Sequence, residues 1–440
     1  MPVVGIDAVI LLLCLRRLFL QVVGPGLMNV LNVVNNNTFM SLMVFLSLAL
    51  LLSTPGGSVA VFAILLLLAL VFLFRVKDKP ALNRADKLLM FSLVFMFLTV
   101  LPAFVSDGFR GRYLDLTLRF LLVVPVLWLL LKTPPKASWL FAGALVGSAG
   151  AFLLALYQYF YAGMPRVDGF LYSINFGYLA CALAFLSFSG MMFFERSRWK
   201  LAAFMGFIMA VYAILLTGTR GAYIAVPALA AVLIILYRKE LGAKLVVLVA
   251  AVCMSMPAAS YMVVPQVQQR FDVLINELIH YESGDPSKAY SSSGLRLELW
   301  TAAIEAFKQN PLYGLNYNQR EALNARLVEE GEIIPQVLNI SRGHAHSDYF
   351  EVLAGRGLLG IIALLMLYLV PGIIFLRKAM NTEGKEKALA AAGVTFVAGF
   401  MVFGISEAPL QANVLSGCYA LTVVAIYAML RRPENAGLRA

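Results

Sequence analysis

Long apolar stretches, separated by short charged or Gly- and Pro-containing breaks, run through most of this chain. They fall near residues 38–53, 57–74, 88–105, 114–131, 138–160, 172–193, 199–217, 221–237, 243–264, 357–376, 387–407 and 411–430. Runs of roughly 20 residues are what an α-helix needs to cross about 30 Å of hydrocarbon. The pattern therefore predicts an all-α integral membrane protein with about twelve transmembrane helices. The first 37 residues differ, because Arg16 and Arg17 interrupt their apolar run and Asn35, Asn36 and Asn37 close it. That layout predicts an interfacial segment over 1–37. The expected organisation is then nine transmembrane helices within 38–264, a loop domain at 265–347, three more helices within 348–430 and a tail at 431–440.

Composition supports the same class. Of 440 residues, 61% are hydrophobic and 13% are charged, with a mean hydropathy of +0.82, which excludes a soluble fold. A formal net charge of +11 need not imply nucleic acid, and none is expected as a partner, since membrane proteins collect Lys and Arg on cytoplasmic loops. With the N-terminus inside, the inner loops carry 22 of the 35 basic residues against 8 acidic ones. The expected location is an inner membrane, with the 265–347 loop on the outer face. Cys14, Cys181, Cys253 and Cys418 all lie in apolar stretches and offer no disulfide or metal-ligand pattern. Arg16 and Arg17 follow the first apolar run instead of preceding it, so no cleavable signal peptide is expected.

The 265–347 loop is too long for a plain connection, carries all three histidines and repeats apolar residues at helical spacing around Trp300. It predicts a small helical cap in which function resides. Sorting the basic residues by type adds a second signal: the outer side holds 11 Arg but only Lys288 and Lys308. A guanidinium gives two parallel hydrogen bonds to phosphate and keeps its charge. An arginine-rich outer face suits a phosphate-bearing ligand, although any single arginine, such as Arg320 or Arg326, also fits an ordinary loop or headgroup contact.

Three positions stand out. Arg220 sits in the tight turn Thr217-Gly218-Thr219-Arg220-Gly221 between spans seven and eight, where Gly218 and Gly221 allow close ligand approach; a snorkelling arginine is the alternative. Arg296 opens an amphipathic helix, and a cation there opposes the helix dipole unless an anion shares the site; a surface contact with Glu298 or Trp300 is the plainer reading. His346 lies in Gly343-His344-Ala345-His346-Ser347, just ahead of Gly357-Leu358-Leu359-Gly360. Imidazole suits proton removal near neutral pH, and Ser347 is expected to cap the following helix. A zinc site from His344 and His346 or a structural pair are the competing ideas. P-loop, nucleophile-elbow and HExxH motifs are absent from the sequence, so the energy of any reaction would come from a substrate carrying a good leaving group, such as a lipid diphosphate.

The chain resembles the O-antigen ligase and polymerase superfamily of bacterial lipid-diphosphate-dependent glycosyltransferases. The family's signature of His, then Asn, Ser or Gln, nine residues and Gly-x-x-Gly is matched by His346, Ser347, Gly357 and Gly360. Its Arg-x-x-x-Leu motif aligns with Arg220 to Ile224, with Ile in place of Leu, and Arg296 resembles the second family arginine. The resemblance implies a GT-C-like fold and a metal-independent, inverting transfer of polysaccharide from undecaprenyl diphosphate, with no cofactor. Arg220 and Arg296 would hold the diphosphate and His346 would act as base. The expected acceptor is lipid A-core oligosaccharide, on the ground of one large outer loop and no further domain after span twelve. A growing repeat-unit chain or a pilin serine are the acceptors of sister families. A secondary transporter or lipid flippase is the reading from another class, although the spans are nearly free of buried charge and the candidate site lies on one face.

Overall fold

The computed structural model describes residues 35–238 and 292–431, together with positions 33, 240, 261, 268 and 272. The predicted span 243–264, most of the 1–37 segment, the start of the 265–347 loop, nearly all of the 431–440 tail, Cys14 and Cys253 lie outside the described residues. The described α-helices are numbered in chain order: α1 Asn37–Ala49, α2 Gly57–Arg75, α3 Arg84–Leu98, α4 Leu101–Ser106, α5 Arg112–Lys132, α6 Ala137–Leu156 and α7 Ser173–Phe193. They continue with α8 Ser197–Thr217, α9 Arg220–Leu236, α10 Ser292–Gln309, α11 Tyr317–Glu329, α12 Asp348–Asn381, α13 Gly384–Ser406 and α14 Asn413–Leu430. The described residues contain no strand, and nine helical stretches are long and apolar enough to cross a membrane. The protein is an all-α integral membrane protein. Eleven of the twelve predicted spans coincide with described helices, but α1 and α9 are short, with 13 and 17 residues; 13 residues rise only about 20 Å.

The helices differ in how deeply the protein encloses them, and the most apolar is the least buried. In the apolar window of α7, 83% of residues are buried, against 33% in α2, so α7 is enclosed by protein while α2 keeps a broad face for lipid. Close approach explains the packing of α1 on α6: a Cβ at Gly143 would lie 2.6 Å from Phe45 O, and one at Gly147 would collide with Leu48 O. This four-residue spacing of small residues lets two backbones touch where no hydrophobic drive exists between helices in lipid.

The bundle has two unlike ends. At one, basic residues meet acids between loops: Lys132–Asp78 at 3.0 Å, Lys385–Glu195 at 2.8 Å and Arg431–Asp86 at 3.1 Å. At the other sits the cap, built from α10, α11 and two short 3-10 turns at Pro335–Asn339 and Ser341–Gly343. Leu299, Ala303, Leu323, Leu327 and Val337 form its own apolar core. The start of α11 is closed by a capping box, in which Asn316 and Gln319 each bond the other's backbone N–H. Polar contacts then tie α11 to the bundle. The Tyr317 N–H donates to Tyr113 Oη at 2.9 Å, the Tyr113 hydroxyl donates to Asp107, and the two tyrosine rings stack at 4.6 Å.

The signature glycines mark the second joint between cap and bundle. α12 runs 34 residues but is broken at Gly357, with φ 59° and ψ −150°. The cap segment Pro311–Leu312 inserts there: Leu358 N–H donates to Pro311 O at 2.8 Å, and a Cβ on Gly357 would lie 2.5 Å from that oxygen. A Cβ on Gly360 would in turn meet Val352 Cγ1 at 2.7 Å. Both positions need glycine for space, and Gly357 also for its conformation. Helix α12 therefore starts nine residues before the predicted 357. Its first turns bury Asp348, Glu351 and Arg356, so the expectation of spans nearly free of buried charge fails at the cap end of this helix.

Candidate active site

His346 lies in the short link between the Ser341–Gly343 turn and α12. Its φ of 49° is a left-handed conformation rare for a side chain with a Cβ, and such strain persists only where surroundings hold it. The holding group is Glu407, immediately after α13, whose carboxylate oxygens lie 3.0 and 3.1 Å from His346 Nδ1. With Nδ1 facing a carboxylate, its proton is placed there and Nε2 is the nitrogen open to a reacting hydroxyl.

Glu407 also takes His344, whose Nε2 lies 3.1 Å from Oε1 while its Nδ1 lies 3.5 Å from Glu351. Burial opposes charge on His344, but hydrogen bonds and the charges of Glu351 and Glu407 outweigh it and lift its pKa from 6.5 to about 10. His344 is thus an imidazolium at neutral pH. Burial likewise opposes the Glu407 carboxylate, and the two histidines override it and hold its pKa well below the usual carboxylate range.

Behind this pair lies a buried ion pair that the sequence did not reveal. Arg320, 3% exposed, donates to both Glu351 oxygens at 2.7 and 3.0 Å and to Gly343 O. Glu351 accepts in addition from the Ala345 N–H at 2.8 Å. Arg320 is therefore neither a headgroup contact nor a ligand group; it fixes the loop that carries both histidines. Arg326, by contrast, is an exposed partner of Glu330.

Ser347 occupies the N-cap position of α12 without capping it. Its hydroxyl donates instead to Gly404 O at 2.9 Å, which corrects the expected cap and pins the histidine loop to the end of α13. That bond keeps Glu407, three residues beyond Gly404, beside His346. Glu407 itself was missed. Its only sequence signal is an acid closing an apolar span in Ser406-Glu407-Ala408-Pro409, 61 residues from its partner.

Arg296 reaches the same region through α10. Four residues on, and so on the same helix face, the Trp300 indole N–H donates to Ala345 O at 2.9 Å, and its ring stacks on Phe350 at 4.7 Å. Glu298 is engaged elsewhere, accepting from Ile334 N–H at 3.1 Å, and no Arg296–Glu298 ion pair occurs among the described residues. Arg220 is the first residue of α9, after a turn in which Gly218 has φ 63°. Thr219 at the N-cap sends its hydroxyl to Ser173 O, so the helix start has no side-chain cap and the positive end of its dipole lies beside Arg220.

Tyr178 is where two of these positions meet. Its hydroxyl lies 2.9 Å from Ser406 Oγ, next to Glu407. A Cβ on Gly221, beside Arg220, would collide with both the Tyr178 hydroxyl and Ser406 Oγ. The structure thus brings the turn of Arg220 and the His346–Glu407 pair together at the cap end of the bundle, and α10, which carries Arg296, joins them through the Trp300–Ala345 bond, with Gly357 and Gly360 holding the cap in place behind them.

His344, His346 and Glu407 have ligand atoms within 4.8 Å of one another, a spacing that could hold a metal ion. Two His and one carboxylate form a known zinc donor set. Here, however, the inward nitrogens of both rings already bond Glu407, and a metal would have to displace the proton that two carboxylates hold on His344.

Over 378 residues the chain is 26% identical to an uncharacterized protein of Haemophilus influenzae, an alignment spanning 85% of this chain and 94% of that one. Residues 205–365 match the family described as O-antigen ligase, a stretch that contains Arg220, Arg296, His346, Ser347, Gly357 and Gly360 and ends before Glu407. This match supports membership of the O-antigen ligase superfamily.

Proposed function

We propose that this membrane glycosyltransferase moves an O-antigen polysaccharide from undecaprenyl diphosphate to lipid A-core oligosaccharide at the periplasmic face of the inner membrane. The observation that carries the reading is the meeting at Tyr178 and Ser406 of an arginine-bearing helix start and a carboxylate-oriented histidine, with the helix of Arg296 bonded to the histidine loop through Trp300. Arg220, with the uncapped N–H groups of α9, and Arg296 hold the diphosphate and stabilise the charge that builds on it as the glycosidic bond breaks. His346 Nε2 removes the proton from the attacking sugar hydroxyl, and Glu407 stabilises the imidazolium that results. The bond from the acceptor oxygen to the anomeric carbon forms as the bond to the diphosphate breaks, and inversion follows from attack on the opposite face.

The test is reconstitution of purified protein in liposomes with lipid-diphosphate glycan and, in separate reactions, lipid A-core, a second glycan chain or a pilin. Incorporation into lipid A-core alone, lost in His346→Ala and unchanged by EDTA, is the expected result. Incorporation into another acceptor would reassign the acceptor within the superfamily, and full activity in His346→Ala would refute the base.

A further inference from the structure

Helices α1, α2, α5 and α14 enclose a cleft at the cap end with a cavity of about 30 Å³, roughly twice what one water requires. Arg119 of α5 reaches into it. Its Nη1 donates to Asp115 O and to Asn413 Oδ1, both at 2.8 Å, and lies 3.8 Å from the Asp115 carboxylate. Among the described residues nothing accepts from its Nε or Nη2. Gly417 makes room for the side chain, since a Cβ there would stand 3.4 Å from Arg119 Cδ.

Two further positive ends face the same cleft. The first turns of α2, at Ser58, and of α14, at Asn413, line it, and neither helix has a side-chain cap, the N-cap residues being Gly56 and Ala412. Uncapped helix starts carry partial positive charge and unpaired N–H donors. A guanidinium with one committed edge and two helix starts make a concave site rich in hydrogen-bond donors, with the Asp115 carboxylate turned largely to solvent. Arg119 bonds the first residue of α14, so the cleft lies at the level where spans end and lipid headgroups begin. Below it the walls turn apolar, with Val59, Phe62 and Leu421, and Val59 is 42% exposed.

We propose that this cleft binds the phosphodiester headgroup of a membrane phospholipid, with the anionic oxygens on the open edge of Arg119 and an acyl chain along Val59 and Phe62. The site is separate from the one around His346, and its occupancy does not depend on how that site works.

Native mass spectrometry of the full chain in detergent tests this, with phosphatidylglycerol, diacylglycerol of the same acyl chains, and inorganic phosphate as probes. Wild type should retain one phosphatidylglycerol, and neither of the other two. Arg119→Gln should lower occupancy about tenfold, the order expected for a lost charge-assisted hydrogen bond, and Arg119→Lys should recover part of it. Ser58→Phe, which fills the cleft and leaves Arg119 in place, should also lose the lipid, so the test stands even if Arg119→Gln is poorly folded. Equal retention by wild type and both cleft variants, or binding of diacylglycerol or inorganic phosphate as strong as that of the phospholipid, would overturn the proposal.

Discussion

Replacing Glu407 with Gln isolates the role of its charge while keeping its shape and an oxygen for the Ala408 N–H, which bonds Oε1 at 3.1 Å. As His346 takes a proton it becomes an imidazolium 3.0 Å from a carboxylate that is 12% exposed. Unit charges about 4 Å apart attract by ~4 kcal/mol at an effective dielectric of ~20. Since 1.36 kcal/mol is tenfold in rate, that corresponds to about a thousandfold. His344, itself charged and bonded to the same carboxylate, shares the field and reduces the effect to between about a hundredfold and a thousandfold in kcat. Binding of the donor diphosphate, assigned to Arg220 and Arg296, should change less than about threefold in Kd, because no charge-assisted hydrogen bond to phosphate is removed. The assay is single-turnover transfer at saturating donor beside a direct donor-binding measurement, with thermal unfolding as the check on folding. A folded Glu407→Gln enzyme with kcat within about threefold of wild type, far from the loss a removed buried charge predicts, would refute the dyad. So would a loss confined to donor affinity.

Gly357→Ala should destabilise the protein by about 2–4 kcal/mol, since it combines a positive φ with a clash against the Pro311 carbonyl; thermal unfolding and proteolysis of the cap would report it, and an unchanged melting temperature would contradict the described joint. Arg320→Leu leaves Glu351 buried without its cation and should cost about 3–5 kcal/mol, whereas the double variant Arg320→Leu, Glu351→Leu should recover much of that in the same melt. The raised pKa of His344 contributes stability that is complete below pH 6.5 and lost as pH climbs through about 10. The depressed Glu407 contributes above pH 4.5 and loses its contribution as pH falls below that. Stability of the cap should therefore be greatest between pH 4.5 and 6.5 and fall by roughly 2 kcal/mol toward pH 10 after allowance for a partly exposed imidazole; a melting temperature that rises from pH 6.5 to 9 would contradict this.

Hydropathy locates helices well in a membrane protein because lipid leaves the backbone no alternative to internal hydrogen bonding. That is why eleven apolar runs coincide with described helices. Length was less legible: α1 and α9 are short because Asn36 starts one and the Gly218 turn starts the other. Helix α12 begins in polar sequence that hydropathy does not mark, since Glu351 is buried through its pairing with Arg320 of the cap and Asp348 through bonds from Tyr368 and the Leu410 N–H. Arg220, Arg296 and His346 could be singled out from residue type and local turn chemistry. Glu407 could not, because its partner is 61 residues away and only the pairing of α12 with α13 brings them together. Ser347 shows the limit of local rules: a serine at the right position for a cap bonds instead to the Gly404 carbonyl, a contact set by tertiary packing.

The ionic contacts form one continuous line, from Arg320 to Glu351, to His344, to Glu407 and so to His346. The line crosses from the cap, through the start of α12, to the end of α13, and thus spans the two parts that the proposed reaction must hold in register. A buried ion pair adds little net stability compared with apolar packing, yet it fails abruptly when one partner shifts, because each charge is left uncompensated. Apolar packing between cap and bundle would tolerate sliding by an ångström or more. A carboxylate shared by two imidazoles does not, and the left-handed φ at His346 persists only while Glu407 and the Ser347–Gly404 bond hold it. The cost of burying Arg320 and Glu351, and of half-burying His344, Glu407 and His346, is therefore consistent with fixing the position of His346 Nε2 relative to the Arg220 helix start, where errors of about 1 Å can cost a hundredfold in rate.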